Sequence, residues 1–402
     1  MHSKIPHRRR IAARAGAITL AAVLAGAASG AFAGTRYTVL ASFDGADGSA
    51  PAAGLTVAPD GSRVGITTNS QIGGNGGPAV IYRVRNDGTL KVLHVFAADG
   101  SEGLQPQSPL LASAGDGWLY GVAPEGGAAD GLGTLFRVAT DGRFELLHAF
   151  TAADDASGHP SGALARGSDG TIYGTTAGGA PGLPGDRGAV FGRKPDGSFS
   201  WLRFAGADDG ATPMGGVVLG RDGRLHGTTS AGGVNGGGVL FSTSADFASF
   251  ETQHAFSCII DGCAPRAAVV EDADGRIFGT TSRGGNGGGA GTVFKSANGK
   301  FFTVHTFTSP DTAGRFPIGG LAVDAAGQFW GTTSLGGSAQ GGTLFRMSAK
   351  GKVAVQHAFG GEGDGAQPWC TPAVLADGTV QGTTLLGGAN GLGVVWRLKP
   401  GK

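Results

Sequence analysis

The feature that most restricts this chain is a short unit written seven times along it. In its clearest copy, Phe278-Gly279-Thr280-Thr281 runs through a glycine-rich connection to Gly291-Thr292-Val293-Phe294. Three columns of markers can be followed. The glycine of the Gly-Thr-Thr text or its variants stands at Gly65, Gly121, Gly174, Gly227, Gly279, Gly331 and Gly382. An aromatic residue closes the next run at Tyr82, Phe136, Phe191, Phe241, Phe294, Phe345 and Trp396. A phenylalanine closes the run after that at Phe43, Phe96, Phe150, Phe204, Phe256, Phe307 and Phe359. The glycines recur every 51 to 56 residues, the period of a four-stranded propeller blade.

The order of the columns sets the closure. The phenylalanine column begins first, so the chain opens on a fourth-type strand, Arg36 to Phe43, and ends on a third-type strand, Gly393 to Leu398. A linear stack would leave an unpaired edge at each end. A ring in which the N-terminal strand completes the last blade removes both. The expected fold is all-β, a seven-bladed propeller with four antiparallel strands per blade; six blades and a loose end is the alternative. Asp60-Gly61, Asp116-Gly117, Asp169-Gly170, Asp222-Gly223, Asp274-Gly275 and Asp377-Gly378 supply the positive φ of tight hairpins between first and second strands. These short turns share one face. The Gly-Gly loops and the Asp/Pro loops share the other, and any binding surface is expected there.

With 79 glycines in 402 residues and 15% charge, an unpatterned chain would read as a flexible tract, but here glycine marks turns. Residues 1–33 read as a signal peptide: basic Arg8-Arg9-Arg10, an apolar stretch from Ala15 to Leu24, and Ala31-Phe32-Ala33 as cleavage site. A membrane anchor is the weaker reading, because the apolar part is short for a bilayer of ~30 Å. Residues 34–402 then form the propeller, with 26 basic against 30 acidic residues, a net −4. That balance offers nothing to nucleic acid, and no membrane span is expected in the mature chain. The expected product is secreted, to periplasm, cell surface or medium, as a monomer. Cys258 and Cys263, five apart in one loop, suit a local disulfide. Cys370 is left as a free thiol or for intermolecular pairing. No zinc-ligand spacing is present, and no cofactor is expected.

The chemistry-bearing residues each have a plain structural reading. His94, His148, His254, His305 and His357 precede the closing Phe by two. On the outer strands of separate blades they cannot converge on a metal, so polar pairing is expected. Leaving an aromatic column exposed would forfeit about 1.5–3 kcal/mol per ring, too much for a fold worth ~5–15 kcal/mol net. The columns are therefore assigned to the core between blades. Asp47, Asp99, Asp155, Asp209, Asp261, Asp311 and Asp364 lie in the Asp/Pro loops, where carboxylates either bind ligands or cations or cap their own turns. Trp369 stands where the repeat has no usual residue and is the candidate exposed aromatic. The Gly-Gly loops lack the Lys and helix of a phosphate cradle, and no Gly-x-Ser-x-Gly or His-Glu-x-x-His text occurs. No catalytic residue is assigned.

Tyr173-Gly174-Thr175-Thr176, Gly291-Thr292-Val293-Phe294 and Leu147-His148-Ala149-Phe150 resemble the bacterial tandem repeat called the Gloeo/Verruco (GloVer) repeat. The resemblance covers nearly the whole mature chain and implies an exported protein, with no activity to carry over. The functional expectation is a binding or scaffold module recognising a protein or glycan partner on its long-loop face. Specificity would sit in the departures from the repeat, Asn69–Pro78, Ala177–Arg187, Cys258–Cys263 and Gly363–Thr371. The alternative is a carbohydrate-active lyase or hydrolase acting at the central channel.

Overall fold

The glycine of each Gly-Thr-Thr text lies opposite the aromatic residue of the neighbouring strand. Gly331 faces Phe345, Gly279 faces Phe294 and Gly382 faces Trp396. The ring lies across the glycine so closely that a Cβ on Gly331 would sit 2.5 Å from Phe345 Cζ. Only glycine leaves that space. The threonines that follow close the loop: the Thr333 hydroxyl accepts the Thr343 N–H and donates to the Leu335 carbonyl.

A computed structural model describes residues 35–68, 78–113, 115–152, 157–179, 185–286, 289–308 and 312–399. They form seven four-stranded antiparallel sheets arranged as a seven-bladed propeller. Blade 1 consists, from first to fourth strand, of Thr56–Val57, Arg63–Ile66, Val80–Val84 and Leu90–Val95. Blades 2 to 6 run from Leu111–Ala112 to Phe144–Ala149, Pro160–Arg166 to Phe199–Arg203, Val217–Leu219 to Phe250–Ala255, Val270–Glu271 to Lys300–Thr306, and Ala322–Val323 to Val353–Ala358. Blade 7 takes Ala373–Val374, Val380–Thr384 and Val394–Lys399 from the C-terminal end and Arg36–Ser42 from the N-terminal end. The closing pair is in register from Arg36 opposite Lys399 to Ser42 opposite Val394, with one bulge between Val39 and Ala41. The ring therefore shuts as its repeat order requires. The proposed leader, residues 1–33, lies outside the described residues.

Both aromatic columns are buried, and together they make the seams. Each closing Phe packs on the third-strand aromatic of the following blade, with ring centroids 5.0 to 5.7 Å apart in all seven seams. Such edge-on and tilted pairs add about 0.5–1.5 kcal/mol each beyond their burial. The histidines dress the same seams. His94, His254 and His357 bond Glu102, Asp261 and Asp364 at 2.8 Å, and each stacks on a ring of the next blade, Phe144, Phe301 or Tyr37. Tyr37 belongs to the N-terminal strand, and its phenol donates to Asp364 at 2.6 Å. Burial first, and then Asp364, push that phenol far above its ordinary pKa.

A second clasp runs through the Asp/Pro loops. Each carries a buried proline (Pro51, Pro106, Pro160, Pro213, Pro265, Pro317, Pro368) preceded by a non-glycine residue at positive φ: Ala50, Gln105, His159, Thr212, Ala264, Phe316 and Gln367, at 51° to 59°. That conformation costs an ordinary residue roughly 1–2 kcal/mol. It is held because the residue bonds in two directions. In six of the loops its N–H donates at 2.7 to 3.0 Å to the preceding blade's Gly-Gly loop, as from Thr212 to Arg187 and from Ala264 to Gly237. Its carbonyl accepts from its own blade, as from Ser230 to Thr212 and from Ser282 to Ala264. Two hydrogen bonds at about 1 kcal/mol each offset the strain. The following proline seats against the glycine that opens the preceding blade's third strand: a Cβ on Gly188 would lie 2.5 Å from Pro213 Cδ.

Candidate site at the centre of the long-loop face

Once each proline is fixed, the residue after it has nowhere to go but towards the axis. Ala52, Gln107, Ser161, Met214, Arg266, Ile318 and Trp369 occupy this position in the seven loops, and all seven line one cavity of about 370 Å³. The next positions, among them Gly162, Gly215, Gly319 and Cys370, are small or tightly packed. A Cβ on Gly215 would meet the Ala267 carbonyl at 2.3 Å and one on Gly319 the Cys370 carbonyl at 2.3 Å. The innermost backbones thus touch just below the ring of side chains. The volume falls at the lower end of the ~300–1,000 Å³ typical of small-molecule sites.

The mouth is chemically uneven. Trp369 packs against Ala50, Ala52 and Leu385 while lining the cavity. Arg266, on blade 5, is exposed, and among the described residues no carboxylate pairs with it. Partial burial and then the neighbouring Arg283 lower its pKa, the signature of a cation with no counter-charge. The opposite wall carries Glu125 and His159. Gln105 Nε2 donates to Glu125 at 2.9 Å. His159 Nδ1 lies 2.9 Å from the Pro124 carbonyl; a carbonyl only accepts, so Nδ1 carries the proton. Both Glu125 and Pro124 come from the one Gly-Gly loop that has replaced Thr-Thr, at Val122-Ala123. Among the described residues no group of three or more His, Cys, Asp or Glu is placed to hold a metal ion.

The sequence candidates fall into two sets. Trp369 lines the cavity. The carboxylates of Asp47, Asp209 and Asp261 instead accept the N–H of the residue following their closing Phe, those of Asp44, Ala205 and Ser257. Asp364 accepts from Tyr37, His357 and Gly365. Asp99 caps Ser101 at the surface, and Glu102 takes its expected place by accepting from Ala97. Asp155 and Asp311 lie outside the described residues, as do 69–77 and 180–184 of two of the departing loops. Cys258 and Cys263 are joined by a disulfide across Ile259 and Ile260, which are 83% and 68% exposed. Cys370 is a buried free thiol; burial raises its pKa, and it donates to the Thr383 carbonyl at 3.4 Å. That leaves it inert and out of reach of another chain. Sequence reasoning missed Arg266, Glu125 and His159. The usable signal was the residue after the loop proline, a column with seven different members.

A family model described as the Gloeobacter/Verrucomicrobia repeat matches residues 29–191 and 159–396. No curated protein matches the chain. Among solved structures, the extracellular domain assigned to a one-component system of B. thetaiotaomicron shares 11% identity over 90% of this chain and 40% of that one, with a TM-score of 0.57. The extracellular domain assigned to a hybrid two-component system of B. thetaiotaomicron shares 10% over 87% and 40%, at 0.56. Oligogalacturonate lyase from Vibrio parahaemolyticus shares 10% over 88% and 90%, at 0.53. The chain matches 40% of the length of each of the two B. thetaiotaomicron domains. At such identities the likeness is one of fold.

Proposed function

The chain belongs to the Gloeobacter/Verrucomicrobia repeat family, and from that membership we propose that it is an exported binding module whose long-loop face recognises a glycan or protein partner at its centre. One observation carries the reading. The repeat holds its backbone constant through the strained residue and the proline, and then places seven different side chains around one mouth. A purely structural column would repeat, as the aromatic columns do. Export is supported by the basic-apolar leader text at 1–33 and by the Cys258–Cys263 disulfide, a bond of oxidising compartments. Among the described residues no helix is long and apolar enough to cross a membrane.

The competing reading, a lyase or hydrolase at the same mouth, draws on the proximity of His159 and Glu125 to the cavity. A glycan array and a pull-down with the mature protein test the two together with a turnover assay on captured glycans. Simultaneous alanine replacement of Gln107, Met214, Arg266 and Trp369 is expected to abolish capture, while Asp99→Ala leaves it intact. Capture unchanged in the fourfold variant would remove the central site. Cleavage of a captured glycan, lost on His159→Ala, would move the reading to an enzyme.

A further inference from the structure

The uneven chemistry of the mouth narrows the ligand. We propose that the central site takes an acidic saccharide, its carboxylate on Arg266 and the apolar face of its ring on Trp369. This rests on the binding reading above and deepens it.

Among the described residues Arg266 reaches the cavity from blade 5 without a carboxylate partner, and the charge that acts on it is another cation, Arg283. An anion delivered by a ligand would supply the missing counter-charge to Arg266. Guanidinium presents a fork of donors that matches a carboxylate in a bidentate pair. Among the described residues the one carboxylate lining the cavity, Glu125, stands on blade 2, three blades round a ring of seven and so on the far side, where Gln105 holds it. It would repel an acid placed there but accepts hydroxyl hydrogens well. The two charges together orient a ligand that is acidic at one end and rich in hydroxyls at the other.

Among the described residues Trp369 is the one large aromatic at the mouth, and it packs on Ala50, Ala52 and Leu385. A rigid apolar plate next to Thr371, with Gln107 and Ser161 further round the same cavity, suits a sugar, which offers a patch of C–H on one face and hydroxyls at its rim. A cavity of about 370 Å³ suits one or two sugar rings rather than a folded partner.

The test is calorimetric titration of the mature protein with glucuronate-, galacturonate- and mannuronate-containing disaccharides, each beside its carboxyl-reduced counterpart. At least one acidic form is expected to bind at least tenfold more tightly than its reduced partner, with an affinity that falls as salt rises. Arg266→Gln should erase that preference, a loss of about tenfold or more, without shifting the thermal midpoint, because no carboxylate among the described residues pairs with Arg266. Trp369→Ala should weaken both forms. Equal affinity within every pair, or an unaltered preference in Arg266→Gln, overturns the acidic class while leaving a binding site standing. Absence of binding by every sugar also overturns the inference; the binding reading falls with it only if the array and pull-down capture nothing.

Discussion

At the scale of the residue, the molecule is governed by what glycine lacks. Gly331 has ordinary backbone angles, so its identity is dictated by the Phe345 ring lying over it and by Leu321 Cδ2, 2.8 Å from where a Cβ would be. Gly331→Ala is therefore expected to destabilise the fold by about 1–3 kcal/mol through overpacking. The same change at Gly361, whose nearest neighbour would be 4.0 Å away, is expected to leave stability unchanged. Urea unfolding of the two variants checks both. This layer was legible in the sequence because the constraint recurs: seven glycines opposite seven aromatics cannot be accidental, and burial energy ruled out exposed rings. The carboxylates were harder. Asp99 and Asp261 look equivalent as text, yet Asp99 caps a surface turn whereas Glu102 fills the place that Asp261 has in its own loop. A one-residue shift in loop length hides that exchange from any alignment by residue type.

At the scale of the element, the instructive piece is the loop between the fourth strand of one blade and the first of the next. Its composition announces a turn, but its strained residue before proline is intelligible only beside the neighbouring blade, whose carbonyl it binds. Ala264 holds φ at 52° while its N–H reaches Gly237. Ala264→Gly keeps both backbone hydrogen bonds and removes the clash of the side chain in that conformation. It is expected to raise stability by about 1 kcal/mol, read as a higher urea midpoint at constant slope. A fall would mean that the methyl group packs more than it strains. The cavity ring was illegible for a related reason. Its seven members are strangers in the sequence, separated by a whole blade each, and become neighbours only because the proline before each one aims it inward.

At the scale of the whole molecule, closure depends on a seam with its own chemistry. Tyr37, from the strand made first, lies on His357 with centroids 3.5 Å apart and donates to Asp364. Burial raises the Asp364 pKa, but the hydrogen bonds from His357 and Tyr37 outweigh it and hold the carboxyl below its ordinary value. A depressed carboxyl contributes stability that is complete above the unfolded value near 3.9 and is lost as pH falls through the folded one. Asp364→Asn is expected to cost about 1–3 kcal/mol at pH 7. Its deficit against the unmutated protein should be present at neutral pH and shrink below about pH 4, as the unmutated carboxyl takes up its proton. A deficit that persists in acid would detach the seam from the ionisation of Asp364.

The same seam sets a schedule. Thr38 and Arg397 meet across 359 positions of chain, and at ~5–20 residues per second a ribosome takes about 20–70 s to supply the second after the first. For all that time Arg36–Ser42 lacks the strand it pairs with in the ring, Val394–Lys399. Six blades can assemble while it waits, but the disc stays a horseshoe with two sticky ends. A chain built this way closes only when its earliest strand and its latest are free together, so the whole repeat has to be present before the ring can lock.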